Sequence, residues 1–308
     1  MNPENVTIRK MVKNDLDASV KLTESEGWDY GIGDFERLLY YEPDGCFVAT
    51  YNNQLIGITT SIAYTHFAWI GNVIVDSQFR RAGIGKKIME TVHKYLFSKN
   101  IETLFLESTL NSVQFYRKLG YMPCGKTIKL IGSPKCGMRN GECGMRNAEC
   151  RGGLGGKAAV SGVLIKKVEN SELFDIYALD KTYFGDDRSR ALKRLLQDFP
   201  DMFYGAWLDG KLKGYIIAKS CLSMCEIGPW IVEKENDEIA ESLFQVITNN
   251  LEGHKVLISI PSTNEHSLNI VKKYGFEVTG RTVLMSLGKN KNYFDLRGIY
   301  AEGAGEKG

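Results

Sequence analysis

The chain has 308 residues and 34.6 kDa, with 43% hydrophobic and 25% charged residues, the make-up of globular domains with true cores and enough length for two of them. A formal net charge of +2 offers no strong field for nucleic acid or for an anionic membrane surface, so neither is an expected partner. The opening "MNPENVTIRK" has no apolar signal core and no apolar run approaches membrane-spanning length, so the expectation is a cytoplasmic protein with its seven cysteines reduced.

In chain order, a short strand over 6–12 leads into a helical region with Leu16, Val20, Leu38 and Leu39 as candidate core positions. Three strands follow in "CFVATY", "LIGITTSIAY" and "WIGNVIV", by alternation or by continuous apolarity. Next comes "FRRAGIGKKIM", a glycine-bearing loop that opens a helix over roughly 81–98, with Ile84, Ile88, Val92 and Leu96 at helical spacing. "TLFLEST" reads as a buried strand, "NSVQFYRKLG" as a short helix stopped by Gly120, and "TIKLIG" as another strand. Strands followed by a strand–helix–strand unit predict an α/β chain of mixed α+β type, with helices on both sheet faces.

The pattern is then written a second time. "VTIRKM" at Val6 returns as "VLIKKV" at Val163, "ERLL" at Glu36 as "KRLL" at Lys193, and "IGNVIVD" at Ile70 as "IGPWIVE" at Ile227, each 157 residues on. "LGYMPCGKTIKL" at Leu119 matches "YGFEVTGRTVLM" at Tyr274. The expected division is 1–132 for the first domain, 133–161 for a Gly/Cys-rich linker, and 162–308 for the second domain with its tail. The linker repeats a seven-residue unit that sets Cys136, Cys143 and Cys150 at equal spacing. Zinc sites space cysteines more closely and no His stands nearby, so no metal is expected. Each copy lacks one strand, and the tail segment "GIYA" is expected to add a strand at a sheet edge, across the domain interface.

The loop carries the chemistry. Glycines let the backbone turn and approach a ligand, and successive N–H groups at a helix N-terminus favour an anion. Arg80, Arg81, Lys86 and Lys87 add positive charge. A nucleotide P-loop is excluded by the missing Gly-Lys-Ser/Thr, and a dinucleotide fold is disfavoured by the missing third glycine.

"RRAGIG", with Arg80, Gly83 and Gly85, resembles the signature of the GNAT acetyltransferases: Arg or Gln, two residues, Gly, one residue, then Gly or Ala. "NSVQFYRKLGY" is similar to that family's Asn-containing loop and Tyr-bearing helix. The resemblance implies two tandem GNAT-like domains, each a mixed, mostly antiparallel sheet flanked by helices. It implies that Arg80, Arg81, Ala82, Gly83, Ile84, Gly85 and Lys86 hold the diphosphate of acetyl-CoA. Val73, Ile74 and Val75 would border the pantetheine arm and polarise the thioester carbonyl, with Asn111 also on the cofactor. Tyr116 stands where the family's general-acid tyrosine often lies, the alternative being simple packing beside Phe115 and Leu119.

No Glu or His occupies "FAWIGNVIV", so the candidate base is Glu107, a carboxylate among apolar strand residues where desolvation would raise its pKa, or an acid facing solvent. Trp28, Asp29 and Tyr30 would line a site for a cationic amine, or only pack. In the second copy Phe184, Asp186, Asp187 and Arg188 offer the same choice, an ion-paired helix start being the alternative. The loop itself becomes "EKENDEIAES", with Asp237, Ala240 and Ser242 at the key positions, acidic and without glycine. One active site per chain is therefore expected, in an acetyl-CoA-dependent N-acetyltransferase acting on the amine of a small molecule. The rivals are a noncatalytic CoA-binding sensor or scaffold, a transferase using another acyl or aminoacyl donor, and an enzyme with a peptide acceptor.

Overall fold

The computed structural model describes residues 5–134, 150–151, 162–289 and 293–303, which divide into two compact units. The N-terminal half runs β1 (Thr7–Lys10), α1 (Leu16–Ser25), α2 (Ile32–Tyr41), β2 (Phe47–Tyr51), β3 (Gln54–Ala63), β4 (Ala68–Val75), α3 (Ile84–Ser98), β5 (Thr103–Thr109), α4 (Val113–Lys118) and β6 (Met122–Gly132). The C-terminal half runs β7 (Cys150–Arg151), β8 (Val163–Lys167), α5 (Leu173–Phe184), α6 (Ser189–Asp198), β9 (Phe203–Leu208), β10 (Lys211–Ser220), β11 (Cys225–Val232), α7 (Asp237–Asn250), β12 (Val256–Pro261), α8 (Glu265–Lys273), β13 (Glu277–Gly288) and β14 (Ile299–Ala301). The duplication read from the sequence is a duplication of elements.

Within each half the first four main strands, β1 to β4 and β8 to β11, are antiparallel neighbours in chain order. The next strand is reached through a long helix and pairs in parallel, β5 on β4 and β12 on β11. The helices form because their apolar residues recur along one stripe. Ile84, Ile88, Val92 and Leu96 are all buried on α3, as are Ile239, Leu243 and Ile247 on α7. β11 is buried along its whole length and accordingly reads as an apolar run without alternation from Ile227 on, its one charge, Glu226, being paired with Lys219.

The missing strand of each copy is supplied by exchange, which no feature of the sequence announced. The unit containing the chain up to Gly125 also takes the stretch that starts at Val283, while the other unit begins at Lys126. In the first unit Val283 and Met285 of β13 share a core with Leu104, Leu106, Tyr116 and Tyr121. Thr103 donates to the carbonyl of Lys289 at 2.9 Å. In the second unit the end of β6 pairs antiparallel with β12, from Thr127 opposite Pro261 to Gly132 opposite Val256. The compact units therefore do not coincide with the linear halves. The tail segment does form a strand, but β14 pairs with β11 inside its own unit and not at an edge.

Met285 is fully buried in the first unit's core although it is encoded in the second half. Met285→Ala is expected to destabilise the first unit by about 2–5 kcal/mol, the usual range for a large-to-small core change, measured by chemical denaturation.

Candidate active site

The site is built where two parallel strands diverge. β4 pairs with β5 only at Ala68–Leu104, Trp69–Phe105 and Ile70–Leu106, and the strands then separate. A bulge on β4 accompanies the separation: against β3, Ile74 faces Ile58 but Gly71 faces Thr60, so two residues oppose one. Asn72 holds this bulge at φ +50°, a conformation that Asn tolerates better than most residues, and its amide donates to the Thr60 hydroxyl at 3.2 Å. Val73 and Val75 remain half-buried and Ile74 buried. Among the described residues β4 has no strand partner beyond Ile70 except β3, so no strand covers the fork-side edge of Asn72–Val75, where the Val75 carbonyl accepts from Arg80.

At the mouth of the fork lies the glycine loop. Gly83 caps α3 at φ +79°, a conformation that glycine reaches freely, and Arg81 precedes it at φ +65°. No side chain caps the first amides of α3, so those of Ile84, Gly85 and Lys86 are donors at the positive end of a fifteen-residue helix. A Cβ on Gly85 would lie 3.4 Å from the ring of Phe115, so glycine there keeps α3 and α4 close. Ala82 is half-buried, while Arg80, Arg81 and Lys86 are exposed. Arg80 donates to the Val75 carbonyl at 2.8 Å and pairs with Glu26 at the end of α1. Lys86 lies 3.6 Å from Glu90, whereas Arg81 makes no ion pair among the described residues. The Glu26 contact was not legible in the sequence, because 54 positions separate the partners and neither residue belongs to a shared motif.

The two candidate catalytic residues fall on opposite faces of the sheet. Tyr116 is buried with Leu104 and Leu106 on the face covered by α3 and α4. Its ring meets Phe115 and Tyr121 edge-on, with centroids 5.0 and 5.9 Å away. No hydrogen-bond partner for its hydroxyl exists among the described residues, and burial pushes its pKa up, so the phenol holds its proton. Glu107 is half-buried and is the first residue of β5 beyond the last pair with β4. It shares its face with Phe105, on which Trp69 stacks at 5.9 Å. Tyr116 and Glu107 thus lie on opposite faces of β5.

Asn111 is exposed on the turn after β5. Trp28, Asp29 and Tyr30 are half-buried before α2, with Trp28 and Tyr30 6.5 Å apart and Tyr30 5.9 Å from Phe35. Their counterparts in the second copy are engaged within the chain. Arg188 is buried on Asp180 in a bidentate ion pair and lies 4.1 Å from the Phe184 ring centroid, while Asp187 accepts from the Ser189 amide at the start of α6. The ion-paired helix start is the structure there. No cluster of metal-ligating side chains exists among the described residues, within which Cys136 and Cys143 do not fall. No helix among them is long and apolar enough to cross a membrane.

Residues 16–121 match the acetyltransferase (GNAT) family, and residues 176–301 match a family described as an acetyltransferase (GNAT) domain. The chain belongs to the GNAT acetyltransferases. It carries one GNAT domain in each half and is an acyltransferase. A solved relative, a putative acetyltransferase from Pyrococcus horikoshii, superposes with a TM-score of 0.77 over 99% of this chain and 96% of its own, at 20% identity. Holothin acyltransferase of Pseudoalteromonas sp. (strain SANK 73390) is 22% identical over 86% of this chain and 82% of its own length. N-alpha-acetyltransferase 30 of Dictyostelium discoideum is 30% identical, but only over 30% of this chain and 54% of its own.

Behind Tyr116, Tyr121 is 2.8 Å from His93 Nε2, and burial lowers the pKa of His93 to about 4. An unfolded His titrates near 6.5, so below that pH the unfolded state binds the proton that the fold resists. Stability of this GNAT domain is expected to fall as pH drops from 6.5 towards 4. His93→Gln should flatten that part of the curve, read from denaturation midpoints across the pH range.

Proposed function

We propose that the first GNAT domain is the catalytic one and transfers an acetyl group from acetyl-CoA to the primary amine of a small molecule by direct attack. The observation that carries this reading is the open fork in front of an uncapped helix N-terminus, with glycine where a side chain would intrude. The residues fit the group. Amides of residues 83–86 with Arg80 and Arg81 suit a diphosphate, and the free edge of Val73–Val75 suits a pantetheine arm with its two amides. When bound, acetyl-CoA supplies an acyl group activated as a thioester.

The chain's own residues do the rest. An open amide on β4 is a fixed donor for the oxyanion that grows on the carbonyl during attack, and it needs no reorganisation. Alkylamines have pKa near 10.4 and reach neutral pH mostly protonated, so a base is required. Glu107, at the crotch of the fork on the carboxylate face, takes that proton directly or through water. Tyr116 keeps a proton on its phenol oxygen, on the opposite face, for the departing thiolate. Trp28, Asp29 and Tyr30 are the candidate acceptor contacts, offering aromatic faces and a carboxylate to a cation.

The small-molecule acceptor is favoured because the relative that runs along 86% of this chain is named for holothin, whereas the one named an N-alpha-acetyltransferase matches only 30% of it. A screen of acetyl-CoA consumption across polyamines, amino acids, amino sugars and peptide N-termini tests this. Turnover confined to peptides would overturn the acceptor class, and no turnover with intact cofactor binding would favour a sensor.

Two variants test the roles. Tyr116→Phe is expected to lower kcat by about 10²-fold or more with acetyl-CoA affinity unchanged, the typical effect of losing a positioned proton donor. Gly85→Glu sets a carboxylate at the helix start and should abolish acetyl-CoA binding in calorimetry while far-ultraviolet circular dichroism stays the same.

A further inference from the structure

The second domain has the same fork. β11 pairs with β12 through Cys225–Val256, Glu226–Leu257 and Ile227–Ile258, and the two strands then part after the residues that correspond to Ile70 and Leu106. Here the gap is filled. β14 pairs with β11 through Trp230–Ala301 and Ile231–Ile299, along the stretch that corresponds to the open edge of β4. The Val232 amide donates to the Gly298 carbonyl at 3.0 Å, and the Glu302 amide donates to Ser259 of β12 at 2.9 Å, so the tail bridges both prongs. Asn264 donates to the Ile299 carbonyl at 2.8 Å and the Ser267 hydroxyl to that of Tyr300 at 2.5 Å.

The fit extends beyond hydrogen bonds. Ile299, Tyr300 and Ala301 are all buried. A Cβ on Gly228, at φ +146°, would come within 1.9 Å of the Glu302 carbonyl oxygen, and one on Gly298 within 2.2 Å of the Tyr183 ring. Both glycines are conditions for the tail to lie there. Tyr300 reaches out of the fork to Asp237 in the first turn of α7, which also meets His266 at 2.9 Å. A carboxylate of the chain itself thus stands at the helix start, next to Glu238.

We infer that residues 298–302 are a built-in strand ligand of the second domain: the fork of that domain is a peptide groove, filled in cis by the chain's own tail and closed to acyl carriers. The groove binds by strand addition, main chain to main chain, with Tyr300 as its anchor. This assignment does not depend on which donor the first domain uses.

The test uses the full chain. Hydrogen exchange read by mass spectrometry should show the amides of 299–302 as slow as those of β11 and β12, with and without saturating acetyl-CoA. Calorimetry should find no more than one equivalent of acetyl-CoA per chain. Fast exchange of those amides, or a second equivalent that deprotects them, overturns the inference. A fluorescent peptide of residues 292–308 should not bind the wild-type chain, whose groove is full, but should bind the variant Tyr300→Ala/Ala301→Glu, whose own tail is expelled. A folded variant that ignores the peptide also overturns it, and if the variant does not fold, exchange in the wild type decides alone. Absence of any acetyl-CoA binding would defeat the proposed function while slow tail amides would still uphold the groove.

Discussion

Two parallel strands that part company leave main-chain donors and acceptors without partners, and everything in this protein is arranged around that constraint. Buried N–H and C=O groups must be satisfied, and a fork in a sheet satisfies none of them by itself. The first domain keeps its fork open and equips it with a helix start, two glycines and an unpartnered phenol. The second domain fills the same gap with three buried residues of its own tail. One geometry occurs twice in the chain, without a further strand in one copy and filled by the chain's own tail in the other.

The helix ends follow the same division. At the first domain the α3 amides are uncapped and flanked by cations, as an anion site requires. At the second domain α7 opens with Asp237 and Glu238, which complement the helix dipole from within the chain. The electrostatics of the second site are therefore already balanced, and an incoming diphosphate would meet like charge. Substitution of the loop and occupation of the fork fall together in that copy.

Much of this was legible in the sequence, for identifiable reasons. The fourfold match between halves revealed a repeated fold because core residues keep their spacing when elements are conserved in order. The glycine loop was readable because a backbone that must turn at φ +79° permits few residue types, as Gly83 illustrates. The strand with Asn72 and the helix with Tyr116 fell where expected. Strand exchange was not legible, since Val283 and Met285 are as apolar as any core pair and nothing local states which sheet they complete. The position of the tail was missed for the same reason: "GIYA" reads as a strand, but its partner is chosen by a vacancy elsewhere in the chain. The pairing of Glu26 with Arg80 belongs to that class too.

The exchange of final strands has a consequence for the history of the molecule. Once each repeat borrows the strand beside its core from the other, neither can be lost or released as an independent gene product without tearing a sheet. Each copy is thus needed to complete the sheet of the other, and a duplication that began as redundancy becomes irreversible.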